Sequence, residues 1–383
     1  MSQVQSRRGS RRIGSVGASA LALAAGLGVS AGAASGGLVT ANWLNAASGT
    51  WNVATNWSTN PNFPNNGTPA GETYHAVINA VGSAYTVTLN SAVTVDQFTL
   101  NSANALVDHT TGTLSVLGGG AALNAGVYRL NGGTIVGGVW NVAGGTLAFG
   151  SNSNSALDGV TVQGTGDFSA FASRVRLRNG SSFTSDVTLS GTNSVLAYEQ
   201  TASLASGRSV IFDSATSGAK FLTVEGNNTL TIDSGATVRG RNGTIRGSLL
   251  TGGGTQTLIN NGLISSDFAG PGIDIATLSN FTNNGVVEAI NGATGSVAAT
   301  NWTNGAAGTL RAIGAGSVLT LGGAWSNAGA LEVTNGTLNL GGTFTNTGAG
   351  FSGLVRTGGA VNITGSMTNT GQSLAIDAAT GTI

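Results

Sequence analysis

Cysteine is missing from all 383 residues, so the chain has no disulfide framework, thiolate metal site or cysteine nucleophile. Proline occurs only four times and glycine follows no three-residue period, which together exclude a collagen-like helix. Charge is scarce as well: Asp, Glu, Lys and Arg make up 8% of the sequence, and Lys220 is the only lysine. With 63 glycines, each disfavoured in a helix by about 1 kcal/mol, a coiled coil or long helical bundle is excluded. Apolar residues nevertheless reach 40%, too many for a disordered chain. What remains is a β-rich protein with very many turns.

Acidic side chains are absent before Glu72, whereas Arg7, Arg8, Arg11 and Arg12 crowd the beginning of the chain. Val16 to Val29 then form an uncharged run of 14 residues rich in Ala, Leu and Gly, followed by Ala31-Gly32-Ala33. A basic stretch, a short apolar run and a small-residue A-x-A site read as a secretory signal peptide over residues 1–33. A membrane anchor would need about 20 apolar residues. The two Arg pairs leave general secretory and twin-arginine export as alternatives. From residue 34 onward the chain carries 11 basic and 15 acidic side chains, a net of about −4, with no Lys/Arg cluster suited to a run of phosphates. Nucleic acid is therefore not an expected partner. Arg174, Arg176 and Arg178 alternate, which places them on one face of a strand, expected to be a solvated strand edge or an anion contact.

An internal repeat dominates the C-terminal third. An apolar residue, Thr or Ser, Asn and then Gly recur from Leu258, Phe281, Trp302, Trp325, Phe344 and Met367, at steps of 23, 21, 23, 19 and 23 residues. Most copies are followed by a short alternating run, such as Val286-Val287-Glu288 or Ala330-Leu331-Glu332-Val333, the pattern of a half-buried strand. A unit of about 22 residues cannot bury its own apolar face, but stacked copies can. The repeat therefore predicts an all-β fold: a parallel β-helix, or solenoid, with three short strands per rung. Right-handed coiling is expected, as for parallel crossovers generally.

In this architecture Phe281, Trp302, Trp325, Phe344 and Met367 stack inward as a ladder. Asn283, Asn304, Asn327, Asn346 and Asn369 are expected at turns, in the left-handed conformation that Asn tolerates, with their amides hydrogen-bonded from rung to rung. The middle of the chain has the same texture at looser spacing, as in Gly145-Thr146-Leu147-Ala148-Phe149. Three of the four prolines fall between Pro61 and Pro69, marking a non-repetitive N-terminal cap. The expected organisation is signal peptide 1–33, cap 34–80 and solenoid 81–383.

Within the cap, Trp43-Leu44, Gly49-Thr50-Trp51-Asn52-Val53-Ala54-Thr55-Asn56-Trp57, Pro64 and Gly71-Glu72 follow one another, ahead of Tyr85-Thr86-Val87-Thr88-Leu89. This pattern resembles the opening of large bacterial surface proteins with β-helical repeats, of the autotransporter-passenger-like or PEP-CTERM-associated type. The resemblance covers about residues 42–120 closely. It implies a secreted or surface-displayed rod and brings no catalytic residue to any position here. The Pro-Glu-Pro tail of the one group and the membrane barrel of the other are not present before Ile383. Ser373-Leu374-Ala375-Ile376-Asp377 reads as an ordinary rung strand, so the reading frame is expected to continue or the rods to associate end to end.

Chemistry is thinly represented. A polysaccharide-degrading β-helix needs two or three convergent carboxylates, or acidic calcium ligands beside a base. Asp158, Asp167, Asp186, Asp213, Glu225, Asp233, Asp267 and Asp274 are each 7 or more residues apart. The densest charged patch is Glu225 and Asp233 with Arg239, Arg241 and Arg246. His75 and His109 lie 34 residues apart, and the phosphate-loop and calcium-roll motifs are absent. No residue is nominated as catalytic, cofactor-binding or metal-ligating, and no cofactor is implied. The expected function is an exported, non-catalytic cell-surface structural, adhesion or matrix protein, secreted or held at the cell surface. A surface glycan or another surface protein is the expected partner, with no membrane span in the mature chain. The alternative is a carbohydrate-active β-helix. N-terminal sequencing of the exported protein is expected to begin near Ala34, and an intact Met1 in the culture medium would refute the signal peptide.

Overall fold

A computed structural model describes residues 36–213, 217–346 and 353–371. The signal peptide and the strand expected at 373–377 lie outside the described residues. The chain is an all-β solenoid of roughly 23-residue rungs, whose strands pair in parallel with the rung before and the rung after. Beyond residue 186 each rung has three short strands on three faces. Face 1 is an eight-stranded sheet that starts at Val187–Leu189 and includes Val286–Ile290 and Thr309–Ile313. Face 2 carries Val195–Tyr198, Lys220–Val224 and their successors. Face 3 is a second eight-stranded sheet, starting at Ala202–Leu204 and including Asn301–Asn304 and Ala324–Asn327. Toward the N-terminus two rungs run unbroken around the corners, as Val93–His109 and Thr113–Leu130, paired along most of their length.

The six-copy motif is the register of face 3. Leu258 lies on Phe281, Phe281 on Trp302, Trp302 on Trp325, Trp325 on Phe344 and Phe344 on Met367. Unequal sequence steps therefore converge on one spatial step, and the loops between strands absorb the difference. Alternation along an extended strand turns the aromatic residue inward and its neighbours outward. Trp302 and Trp325 stack with ring centroids 5.0 Å apart and planes 12° from parallel; Trp325 and Phe344 stack at 4.4 Å and 15°. The indole N–H groups still find acceptors, Trp302 at the Gly322 carbonyl (2.8 Å) and Trp325 at that of Gly341 (2.9 Å).

The asparagines differ from expectation in one respect. Asn283, Asn304 and Asn327 sit within the face 3 strands rather than at turns, and their side chains are buried, whereas Asn369 lies just after the strand Ser366–Thr368. Asn260 donates to Asn283, Asn283 to Asn304 and Asn304 to Asn327, each Nδ2 to Oδ1 at 2.7 Å. A second N–H of each amide goes to a carbonyl, such as that of Val286 from Asn260 (3.1 Å). An amide can bond to its copy one rung away only if each copy occupies the same strand position, which is why the motif lies in extended backbone. The left-handed turns fall to other asparagines, among them Asn242, Asn291 and Asn335, with φ of 53°, 57° and 53°.

The N-terminal region is less separate than the expected 34–80 cap. Leu38–Asn42 and Thr73–Ile78 pair in parallel with each other, and the latter pairs onward with Gln97–Leu100, so both belong to the stack. The excursion between them is held by Trp43, Trp51 and Trp57. Their rings meet at 5.1 Å (Trp43 to Trp57) and 4.8 Å (Trp51 to Trp57), and the Trp57 N–H bonds to the Trp51 carbonyl at 2.7 Å.

Trp325→Ala removes the middle of the aromatic stack. It is expected to cost roughly 3–5 kcal/mol in chemical denaturation. A loss below about 1 kcal/mol would contradict an inward-facing ladder, since full burial of a large side chain alone exceeds that.

Candidate binding site at a break in the ladders

Among the described residues the stack is interrupted once along two of its three faces. On face 3 the ladder through Thr161–Gln163 ends at Ser182–Phe183 and resumes at Ala202–Leu204, with no pairing between those last two strands. On face 1 it ends at Gly166–Asp167 and resumes at Val187–Leu189. Face 2 alone carries through, by the pairing of Arg174–Arg178 with Val195–Tyr198. The rungs on either side of the break are thus joined by one ladder, and a slot opens on each of the other two faces.

The face 3 slot has a volume of about 510 Å³. Every residue from Gly180 to Ser185 lines one wall and every residue from Gln200 to Ala205 the other, so it runs along the strand direction. Tyr198 also lines it, and Arg208 stands exposed at the rim. The Tyr198 side chain is 7% exposed and its hydroxyl makes no hydrogen bond within the described protein. Burial pushes that hydroxyl up to a pKa of about 12. Gln200 closes one end by substituting for the missing ladder: its Oε1 accepts from the Gly180 N–H (2.6 Å) and its Nε2 donates to the Ser181 carbonyl (2.7 Å). The face 1 slot, about 340 Å³, is lined by Thr146, Asp167, Asp186 and Thr188 among others. Each carboxylate there already accepts a backbone N–H, Asp167 from Ser169 and Asp186 from Ser209, both at 2.8 Å.

The structure redistributes the charged residues that the sequence singled out. Arg174, Arg176 and Arg178 do share an outward face, but their strand is paired on both sides and is no sheet edge. Glu199 occupies two of them, accepting from Arg176 Nε (2.8 Å) and Nη2 (2.9 Å) and from Arg178 Nε (2.6 Å). Partial burial opposes the Glu199 charge, yet the two guanidiniums hold its carboxyl below the usual range. These contacts brace the one ladder that crosses the break.

The patch around Glu225 does not assemble. Arg239 bonds to Asp267 (3.2 Å), Arg246 donates to the Gly247 carbonyl, and Glu225 contacts neither of them nor Asp233. Glu225 is instead fully buried beneath the loop that follows Gly247. Its carboxylate accepts from Thr223 Oγ1 (2.6 Å), the N–H groups of Leu249, Leu250 and Thr251 (3.0, 3.1 and 2.9 Å), and Thr251 Oγ1 (2.9 Å). Burial raises its pKa, but these hydrogen bonds outweigh it and hold the group below its ordinary 4.5. Glu225 therefore shapes a loop from within.

The histidines are apart as well. His75 bonds through Nε2 to Thr99 Oγ1 at 2.8 Å, while His109 is buried with Nδ1 2.9 Å from the Tyr128 hydroxyl. Burial pushes His109 down to about 4, so its ring is neutral at physiological pH. Among the described residues no three His, Asp or Glu side chains are grouped so as to hold a metal ion, and no helix is long and apolar enough to cross a membrane. Comparison of the chain with protein-family profiles, curated proteins and solved structures finds no match.

Sequence reasoning missed the slot residues. Ser182–Phe183 and Ala202–Leu204 carry no distinguishing pattern, and only Val195–Tyr198, four apolar residues in a row instead of an alternation, stands out.

A pH dependence follows from Glu225. Its folded pKa lies below the unfolded one, so its contribution is complete above 4.5 and declines as pH falls below that value. Glu225→Ala should lower stability by at least about 2 kcal/mol at pH 7, because it strands several buried donors. In urea titrations the gap to the parent chain should narrow toward pH 3; a gap independent of pH would contradict a charged Glu225.

Proposed function

We propose that this chain is an exported, non-catalytic β-solenoid that serves as a structural, adhesive or matrix element at the bacterial cell surface. The observation that supports this reading is how the carboxylates are used. Asp108 pairs with Arg129 (2.8 Å), Glu199 with Arg176 and Arg178, Asp267 with Arg239, and Glu288 with Arg311 (2.7 Å). Asp274 accepts from Ser296 (2.6 Å), and Glu225 holds a loop. A scaffold that spends its few acids on internal support keeps its length and faces for contact. Either a surface glycan or a second surface protein is a fitting partner, and end-to-end association of such solenoids is a further mode of assembly.

One observation favours the rival reading, a carbohydrate-active β-helix: Asp167 and Asp186 line the same slot. Paired carboxylates are what glycoside hydrolysis uses. The purified chain should release no reducing ends and no unsaturated uronates from a panel of neutral and acidic polysaccharides. Turnover that disappears in both Asp167→Asn and Asp186→Asn would overturn the non-catalytic reading and locate the active site on face 1.

A further inference from the structure

The face 3 slot has the features of an absent strand. In a parallel ladder the N–H and C=O of one residue point to one neighbour and those of the next residue to the other. The Ser182 and Thr184 N–H groups bond back to the Val160 and Val162 carbonyls of the preceding rung. Phe183 therefore turns its N–H and C=O toward the slot. On the opposite wall the Leu204 carbonyl accepts from Asp233 N–H of the following rung, so Ser203 turns its N–H and C=O toward the slot. Each wall is a strand edge that turns the N–H and C=O of one residue to the slot, and the two strands do not pair with each other.

We propose that this slot is a binding site for an extended peptide strand, which bridges Phe183 and Ser203 and completes face 3 by strand addition. The extended parts of the two walls, Ser182–Phe183 and Ala202–Leu204, at about 3.3 Å per residue match about three residues of a bound extended chain, with the flanking residues lining its ends. At about 510 Å³ the slot admits a segment with small side chains and excludes a bulky one. Phe183 and Leu204 supply the apolar part of its lining. Tyr198, buried and without an internal partner, supplies a hydroxyl for a carbonyl or side-chain acceptor of the peptide. The exposed Arg208 at the rim favours an acidic residue near one end. Main-chain edges facing each other match a second main chain; a sugar ring offers no comparable array, so a peptide is the better fit. The inference goes beyond the rod reading and stands whether or not the chain is exported.

The test uses the full-length chain and a capped fluorescent pentapeptide, Ala-Thr-Val-Ser-Asp. The controls are its Lys-ended version, an Ala-Pro-Val-Pro-Asp version that lacks two N–H donors, and cellopentaose. Polarisation should show saturable binding of the first peptide, weaker binding of the Lys-ended one and none of the proline peptide. Hydrogen exchange should slow at the Phe183 and Ser203 amides on binding. Ser203→Pro, which removes one wall donor, should weaken binding at least roughly tenfold, and Tyr198→Phe by a few-fold with unchanged thermal unfolding. If Ser203→Pro does not fold, the exchange pattern of the parent chain decides. Absence of binding, binding without slowed exchange at both walls, or displacement of the peptide by cellopentaose would overturn the proposal.

Discussion

Parallel pairing in register is the constraint on which the rest of this structure depends. A rung of roughly 23 residues buries too little by itself, so each rung must place its apolar residues directly over those of the rung before it. Once that registration is imposed, every inward position becomes a column. Columns of aromatic rings stack, and columns of asparagine bond amide to amide along the axis. Leu258 to Met367 and Asn260 to Asn327 are the two columns where this shows most directly. Glycine and left-handed asparagine then do a separate job, turning the chain at corners so that the columns stay aligned. Gly240, for example, has φ of 121°, and a Cβ there would clash with the Phe212 carbonyl oxygen of the preceding rung.

The same constraint gives the break its significance. Where two ladders lapse and one persists, the persisting one carries the connection between the rungs before Phe183 and those after Val187. Its outer surface is where Arg176 and Arg178 grip Glu199, and its inner surface carries Leu177 and Tyr198. The break is also where bare strand edges, an unpartnered hydroxyl and lined cavities coincide. Elsewhere, acids such as Asp108 and Glu225 are held by arginines or loop amides, and Asn260, Asn283 and Asn304 each donate to the next asparagine of the column.

Much of the fold was legible in the sequence because registration leaves a direct trace. An apolar residue followed by Thr or Ser, Asn and Gly at Phe281, Trp302, Trp325 and Phe344 announces a column whatever the exact spacing. The strands at Thr309–Ile313 and Ala330–Thr334 were readable from their alternation alone. The asparagine position was misjudged because turn preference belongs to the single residue, whereas the amide ladder belongs to a pair of rungs. The candidate site was invisible for a related reason. Nothing in Ser182, Phe183, Ser203 or Leu204 is unusual, since a missing pairing is a relation between rungs and not a property of either. Glu225 was noticed, but in the company of Asp233 and nearby arginines that a coiled chain sends to other faces.

The central claim is that neighbouring rungs stabilise each other through registered inward columns. A double-mutant cycle between Asn283 and Asn304 tests it most directly, because these side chains are 21 residues apart in sequence and 2.7 Å apart in space. With Asn283→Ala, Asn304→Ala and the double variant compared in chemical denaturation, the account predicts a coupling of about 0.5–3 kcal/mol, the range for groups in one hydrogen-bond network. Losses that simply add, to within about 0.3 kcal/mol, would contradict it.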